Sequence, residues 1–229
     1  GHVLAAQGRP GANDRINLGY IGVGRRGKQL MTLPAEGRIV AVADVDKQRV
    51  QEAAEATGGR PHSDYREMLD AKDVDAVVVA TPDHWHACHM VHAAESGKHV
   101  YVEKPACCTI EEGKAMVAAA KQNNIAVQIG SQGRSQKECY LAHRYIANGL
   151  IGKVHKVVCW HYPSPADNRP VPNSEPPPEL DWDMWLGPLH WRPYNARYCH
   201  GVFRWIMESG GGQIRDRGAH VMSNALWIM

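Results

Sequence analysis

The sequence predicts an α/β fold in which a doubly wound parallel sheet comes first and a second domain follows. Three observations predict it. Short apolar runs alternate with helical patterns over the first 150 residues. A glycine-rich turn directly follows the first run, and the alternation stops near Gly152. Because crossovers between parallel strands are right-handed, the carboxyl ends of these strands should meet at one edge of the sheet.

The predicted elements follow each other regularly along the chain. Strands are predicted at 16–21, 38–43, 74–80, 99–102 and 125–129. Helices are predicted near 25–34, 46–57, 86–96, 111–122 and 137–148. A strand-like run at 154–161 and a proline-rich loop at 163–178 then break the pattern. We therefore expect a first domain over 14–150 and part of a second domain over 151–229.

Composition excludes several classes of protein. With 44% hydrophobic and 22% charged residues, the 229-residue chain is globular. The 26 basic and 24 acidic residues give a net charge of +2 without a basic stripe, so neither a nucleic acid nor an anionic membrane is an expected partner. No apolar run reaches about 18 residues, so no membrane span is predicted. The six cysteines contain no CxxC pair, which disfavours a disulfide scaffold.

Residues 1–13 lie outside the periodic pattern and are interpreted as a flexible leader remnant. The chain begins with Gly1, and Leu4-Ala5-Ala6 resembles the small-residue end of an export signal. The basic and apolar regions of such a signal are absent from the sequence. A periplasmic or other exported location is therefore one expectation, and a cytoplasmic location is the other.

The turn Gly22-Val23-Gly24-Arg25-Arg26-Gly27 follows the first predicted strand and precedes a helical pattern. This is the context of a dinucleotide-binding (Rossmann) motif. Gly22 permits the tight turn, Gly24 lets the backbone approach a pyrophosphate, and Gly27 allows close packing of helix and strand. Arg25 and Arg26 are expected to face phosphate or solvent. The motif predicts a nucleotide cofactor.

Asp44 ends the second predicted strand. A carboxylate at this position can accept hydrogen bonds from both hydroxyls of an adenosine ribose, which favours NAD over NADP. The competing interpretation is that Asp44 only caps the helix that follows it.

Further polar residues follow the later strands and should meet at the same edge of the sheet. The predicted cofactor-binding residues in this group are Thr81, Pro82, His84, His86, Glu103, Lys104 and Gln132. Glu103 is expected to orient the nicotinamide end. Lys104 can bind a reacting oxygen or relay a proton, particularly if burial lowers its pKa.

Asp216 and His220 are four residues apart, so on one helix their side chains would share a face. The carboxylate could then support the imidazole as a base for alcohol oxidation, which must remove a hydroxyl proton while hydride leaves the same carbon. Taken alone, such a pair is more often a surface pair. Trp182 could stack on a sugar face, and packing under a long loop is an equal alternative.

His84, His86, His89 and His92 invite comparison with a metal site, because histidines three apart on a helix can share a ligand face. No carboxylate or thiolate stands at a matching spacing. No metal is therefore predicted.

These motifs together resemble the Gfo/Idh/MocA oxidoreductases, named for glucose-fructose oxidoreductase and inositol dehydrogenase. The resemblance spans about 16–229, and its motifs are the glycine turn, Asp44, 81–86, Glu103-Lys104-Pro105, Gly210-Gly211-Gly212, Asp216 and His220. It implies a Rossmann domain that binds NAD(P), followed by an α+β open-sheet domain that forms the substrate wall and a homo-oligomer interface. Family members usually continue for roughly another hundred residues, so only the start of that domain is expected here.

The resemblance also implies a function. Lys104 and His220 match the catalytic lysine and histidine of the family, and Lys104, Trp182, Asp216 and His220 are the expected substrate contacts. The implied activity is NAD-dependent oxidation or reduction of a sugar, sugar derivative or cyclitol. The alternative is an NAD-dependent glycosidase that oxidises its substrate transiently, and Lys104 favours the dehydrogenase because the α-N-acetylgalactosaminidase branch departs from the Glu-Lys-Pro pattern. A noncatalytic NAD sensor would need only the Rossmann half.

Overall fold

Residues 15–32, 37–163 and 170–229 are described by the computed structural model. Six parallel strands form one sheet in the order β3-β2-β1-β4-β5-β6. The strands are β1 (Ile16–Ile21), β2 (Gly37–Ala43), β3 (Arg60–His62), β4 (Ala76–Val79), β5 (His99–Glu103) and β6 (Val127–Gly130). The strand order reverses between β1 and β4, and this topology confirms the predicted doubly wound sheet.

Helices connect the strands of this sheet. They are α1 (Arg25–Leu30), α2 (Lys47–Thr57), α3 (Tyr65–Leu69), α4 (Asp83–Glu95), α5 (Ile110–Gln122), α6 (Gln132–Ser135) and α7 (Lys137–Ala147). Periodicity missed β3 and α3, because a three-residue, largely exposed edge strand and a five-residue helix are too short to show a pattern. α4 begins at Asp83, three residues before its predicted start, because Pro82 stands at its N-cap.

Two apolar clusters pack on opposite faces of the sheet. Ile21, Val77 and Val79 belong to one cluster, whereas their neighbours Tyr20 and Val78 belong to the other. Successive side chains of a strand point to opposite faces, so both faces of the central strands are buried. This explains why the strands appear in the sequence as continuous apolar runs.

The rest of the chain contains short helices. These are α8 (Trp182–Leu186), a 3-10 helix (Val202–Trp205), α9 (Gly212–Asp216) and α10 (Gly218–Ile228). The strand predicted at 154–161 is wrong: these residues have no strand structure, and Val158 and Trp160 are exposed. A strand needs a partner for its backbone hydrogen bonds, and no described residue pairs with this segment.

A third apolar cluster anchors this later part of the chain to the sheet domain. It is formed by Leu180, Trp182, Trp185, Leu186, Cys199 and Phe203. Beside it, Leu180 forms an antiparallel bridge with Asp46, and the amide of Lys47 donates to the carbonyl of Glu179 over 2.9 Å. The chain after the proline-rich loop therefore packs directly on the β2–α2 turn.

Among the helices of the described ranges, none has the length and apolarity that a membrane crossing requires. The predicted leader remnant, 1–13, lies outside the described residues. The division at residue 150 remains a prediction.

The glycine turn after β1 depends on a very close backbone contact. Gly22 has φ +84°, and a Cβ added to Gly27 would lie 2.2 Å from the carbonyl oxygen of Gly22. No side chain fits at position 27 without moving backbone. Gly27 thus has the packing role that its place in the motif predicts.

We expect Gly27→Ala to lower the free energy of unfolding by about 1–3 kcal/mol or more, because relief of the overlap must displace the turn. Urea unfolding of the purified protein measures this change. Gly218→Ala is the control, since its Cβ would meet the nearest atom at an ordinary 3.5 Å. Equal stability of Gly27→Ala and wild type would contradict the inferred packing.

Candidate active site

A cavity of about 1100 Å³ runs along the carboxyl edge of the sheet. It lies beside the glycine turn, the ends of β2, β4 and β5, and α6, and is closed on the other side by the 3-10 helix, α9 and α10. The predicted site residues on its wall are Gly22, Gly24, Arg25, Arg26, Asp44, Thr81, Pro82, His86, Glu103, Lys104, Gln132, Asp216 and His220. The topology thus brings together residues that are almost 200 positions apart in the sequence.

Two glycines of the turn line the cavity and have neighbours too close for a side chain. A Cβ on Gly22 would lie 2.8 Å from the backbone nitrogen of Thr81, and one on Gly24 would lie 2.9 Å from a guanidinium nitrogen of Arg49. Gly24 is also the N-cap of α1 and has no side-chain hydrogen bond there. This shape suits the close approach of a pyrophosphate to backbone.

Asp44 does not cap a helix. Its Oδ2 accepts a hydrogen bond from the amide of Val23 over 2.8 Å, and its Oδ1 accepts one from the amide of Asp46 over 3.0 Å. The cap of α2 is Asp46, which accepts from the amide of Arg49. Burial raises the pKa of Asp44, and the two amide hydrogen bonds oppose that shift. Asp44 therefore connects the β2 edge to the glycine turn and holds its carboxylate at the cavity wall.

Glu103 is the centre of a buried polar network. Its Oε1 lies 2.7 Å from a guanidinium nitrogen of Arg26 and 2.7 Å from Nε2 of Gln132. Arg26 is therefore paired with a carboxylate, which differs from the predicted orientation toward phosphate or solvent, whereas Arg25 is exposed. A Cβ on Gly130 would lie 2.9 Å from the same Oε1, so a glycine leaves room for the network.

Lys104 is paired with Asp216. Its Nζ lies 2.8 Å from Oδ1 and 2.7 Å from the carbonyl oxygen of that residue, and Arg204 Nε lies 3.6 Å from the same Oδ1. Burial acts to raise the pKa of Asp216, but the hydrogen bond from Lys104 and the two positive charges hold it below its usual range. The carboxylate therefore stays ionised and fixes the Lys104 ammonium on the cavity wall.

The predicted single helix for Asp216 and His220 is wrong. Asp216 is the last residue of α9, His220 lies in α10, and Arg217 separates the two helices. The partner of the Asp216 carboxylate is Lys104 and not the imidazole. Spacing alone could not reveal this partner, because Lys104 is 112 positions away.

His220 is half-buried on the cavity wall. Burial, followed by the positive charge of Lys104, lowers the pKa of its imidazole. The ring is therefore neutral at pH 7 and able to accept a proton. α10 packs here against α6, where a Cβ on Gly133 would lie 3.8 Å from His220 Nδ1.

The two predicted cleft histidines have different positions. His86 is buried, with Nδ1 2.7 Å from the carbonyl oxygen of Pro105 and Nε2 2.9 Å from that of Thr81, so it connects the turns after β4 and β5. His84 does not line the cavity, contrary to the expectation. Its Nε2 lies 3.0 Å from the carbonyl oxygen of Trp185, and burial lowers its pKa to about 4.

Trp182 also lies away from the cavity. It stacks on Trp185 with ring centroids 4.9 Å apart, and its Nε1 donates to the carbonyl oxygen of Arg192 over 2.8 Å. Trp182 therefore packs in the third apolar cluster, which differs from the expected contact with a sugar face. The tryptophans that do line the cavity are Trp85, Trp185 and Trp205.

The remaining histidines of α4 contact neighbouring hydroxyls. His89 Nδ1 lies 3.1 Å from Thr81 Oγ1, and His92 Nδ1 lies 2.8 Å from the hydroxyl of Tyr65. Within the described ranges, no group of three or more His, Cys, Asp or Glu side chains could hold a metal ion.

Asp83 lies in the 81–86 motif and on the cavity wall, but the sequence analysis assigned it no role. It is only 6% exposed, its Oδ2 is buried without a hydrogen-bond partner, and burial raises its pKa to about 7. The charges of Arg204 and Lys104 oppose that shift. The motif placed Asp83 at this edge, but an acid in the first turn of a helix gives no local signal that it is buried without a partner.

The parallel sheet, the glycine turn and Asp44 together define a dinucleotide-binding domain of the Rossmann class. The chain belongs to the Gfo/Idh/MocA family. Residues 16–131 match the family model described as an oxidoreductase family with an NAD-binding Rossmann fold. Residues 147–229 match the model described as the C-terminal alpha/beta domain of the same oxidoreductase family.

Several characterised relatives are similar to part of this chain. Levoglucosan dehydrogenase of Pseudarthrobacter phenanthrenivorans is 36% identical over 61% of this chain and 39% of its own length. The scyllo-inositol 2-dehydrogenase (NAD(+)) of Bacillus subtilis is 33% identical over 61% of this chain and 42% of its own length. A glycosyl hydrolase family 109 protein of Saccharopolyspora erythraea is 34% identical over 62% and 34%, respectively. The chain thus matches less than half the length of each of these relatives.

Among solved structures, the WlbA dehydrogenase of Bordetella pertussis, in complex with NADH and UDP-GlcNAcA, is similar with a TM-score of 0.57. It is 32% identical, and the match covers 59% of this chain and 42% of that one.

We expect Asp83→Asn to change how stability depends on pH. Because the folded pKa of Asp83 lies above that of the unfolded chain, wild type loses stability as pH rises between these two values. Relative to wild type, the free energy of unfolding of Asp83→Asn should therefore increase by roughly 2–3 kcal/mol when the pH is raised from 5 to 8.

Urea unfolding at the two pH values measures this gain. Asp183→Asn, an exposed acid in the first turn of α8, is the matched control and should show no such gain. A constant difference between wild type and Asp83→Asn would show that Asp83 titrates normally.

Proposed function

We propose that this chain is the cofactor-binding and catalytic part of an NAD-dependent oxidoreductase that transfers hydride between the nicotinamide and a hydroxyl or keto carbon of a sugar, sugar derivative or cyclitol. The observation that carries the proposal is the Lys104–Asp216 pair, which shares a cavity wall with His220 and with the glycine turn. The similarity to levoglucosan and inositol dehydrogenases supports the substrate class.

The residues at the sheet edge fit the cofactor. The glycine turn presents backbone without side chains to a pyrophosphate, and Arg25, which is exposed on the same wall, can contact the negative charge of that group. Asp44 would bind the hydroxyls of the adenosine ribose, and its negative charge would repel a 2′-phosphate, which favours NAD over NADP. The wall around the nicotinamide end would be formed by Thr81, Pro82, His86, Glu103 and Gln132. When bound, NAD supplies the hydride-accepting ring.

The catalytic residues divide the chemistry of alcohol oxidation. Lys104, held on the cavity wall by its ion pair with Asp216, would bind the substrate oxygen and stabilise the negative charge that develops there. Neutral His220 would take the hydroxyl proton, and in the reverse direction the imidazolium would return it. Asp216 is thus a positioning residue for Lys104. The ion pair with Lys104 replaces the expected support of His220, and a contact between Asp216 and substrate stays a prediction.

A second candidate is an NAD-dependent glycosidase that oxidises its sugar transiently and re-reduces the product. The similarity to a family 109 glycosyl hydrolase favours it. Lys104 within Glu103-Lys104-Pro105 favours the dehydrogenase.

We also propose that the complete protein forms a homo-oligomer through its C-terminal domain. Residues 147–229 match the model of that C-terminal domain, and the resemblance to the family implies the interface.

One assay distinguishes the two activities. The longest natural form of the polypeptide is incubated with NAD and a panel of free sugars, inositols and aryl glycosides, while NADH absorbance and released aglycone are followed together. Net NADH with an intact glycosidic bond is the expected result. Aglycone release without net NADH would replace the dehydrogenase by the glycosidase.

We expect Lys104→Ala to lower kcat about a hundredfold or more, because the group that binds the substrate oxygen and stabilises its developing negative charge is lost. Initial rates with the substrate identified in the preceding assay give kcat. Titration with NAD gives its Kd, which should change less than threefold. Lys114→Ala, an exposed lysine on α5, is the control. Turnover within a few-fold of wild type would remove Lys104 from the mechanism.

A further inference from the structure

We propose that His200 is a further cofactor-binding residue, whose ring packs against the adenosine half of NAD from the side opposite the sheet domain. The inference rests on the proposed function only in requiring that NAD occupies the cavity. No sequence motif includes this histidine.

The first support is where the ring lies. His200 lines the same cavity as Asp44, Val45 and Arg49, the residues at the carboxyl end of β2. Its Nε2 lies 3.4 Å from Oδ2 of Asp46, two positions after the acid that we assign to the ribose. The His200 side chain is 36% exposed, so part of the ring faces open space in the cavity.

The second support is that the backbone holds the ring there. The amide of Asp181 donates to the carbonyl oxygen of Val45 over 3.0 Å, which ties the third apolar cluster to the β2–α2 turn. Cys199, directly before His200, is buried in that cluster, and Phe203, shortly after it, belongs to the same cluster. The ring is therefore presented by an anchored segment on both sides.

The third support is chemical. Burial, followed by the positive charge of Arg49, lowers the pKa of His200, so the ring is a neutral aromatic heterocycle at pH 7. A flat, partly exposed ring of this kind can stack on a purine, and an aromatic side chain stacked on a base typically changes affinity about tenfold when it is truncated. The adenosine half of the cofactor would then contact both parts of the chain.

The test measures binding and does not depend on an identified substrate. NAD and ADP-ribose, which share the adenosine half, are titrated by calorimetry into wild type, His200→Ala, His200→Gln and His200→Phe. We expect Kd for both ligands to rise about tenfold in the Ala and Gln variants and to stay within about threefold of wild type in the Phe variant. His190→Ala, an exposed histidine that does not line the cavity, is the matched control.

The outcomes separate the two proposals. If wild type binds neither NAD nor ADP-ribose, the proposed function fails. If wild type binds both and His200→Gln binds them equally well, only the role of His200 fails. If His200→Phe weakens binding of the two ligands as much as His200→Ala does, the effect comes from the contact with Asp46, and stacking is overturned. The Gln variant keeps the test valid should His200→Ala fail to fold, which circular dichroism of each variant shows.

Discussion

The reversal of strand order between β1 and β4 is the constraint on which the rest of the structure depends. β1 pairs with β2 on one side and β4 on the other, so that Ile21 lies beside both Ala43 and Val79. Connections leave this point in opposite directions and open a crevice at the carboxyl edge. Gly22 and Asp44 line its β1–β2 side, and the turns after β4, β5 and β6 line the other. The site follows from the topology because parallel strands place their ends together.

Most charged side chains at this edge of the sheet contact a polar or oppositely charged partner. Glu103 is buried but contacts Arg26 and Gln132, and Lys104 contacts Asp216, so most of the ionised groups removed from water have partners. Asp83 is different, because its buried Oδ2 has none and its pKa is raised to about 7. The hydrogen bond from Lys104 holds the pKa of Asp216 below its usual range, whereas burial without a partner raises that of Asp83. Such contrasts are typical of functional clefts.

The later part of the chain completes the cavity by docking on α4 and on the β2–α2 turn. Trp85 donates its Nε1 to the carbonyl oxygens of Met184 and Trp185 over 3.1 and 3.0 Å, and a Cβ on Gly187 would lie 2.0 Å from its ring. His84, one of the two histidines that the sequence assigns to the cleft, is used in the same contact. Residues that look functional in a motif can thus serve docking, and this docking is what brings Asp216 to Lys104.

The sequence by itself determined the sheet class, the glycine turn, Asp44 and the edge position of Lys104, because apolar periodicity and turn residues are local signals that survive folding. Only the tertiary structure decided which side chains meet. It paired Asp216 with Lys104 and not with His220, placed Trp182 in a core, and left 154–161 without strand structure. Ion pairs, apolar clusters and strand pairing join residues that are far apart along the chain. Spacing along the sequence carries no information about such contacts. It could therefore indicate the chemistry of the site but not which side chains pair with each other there.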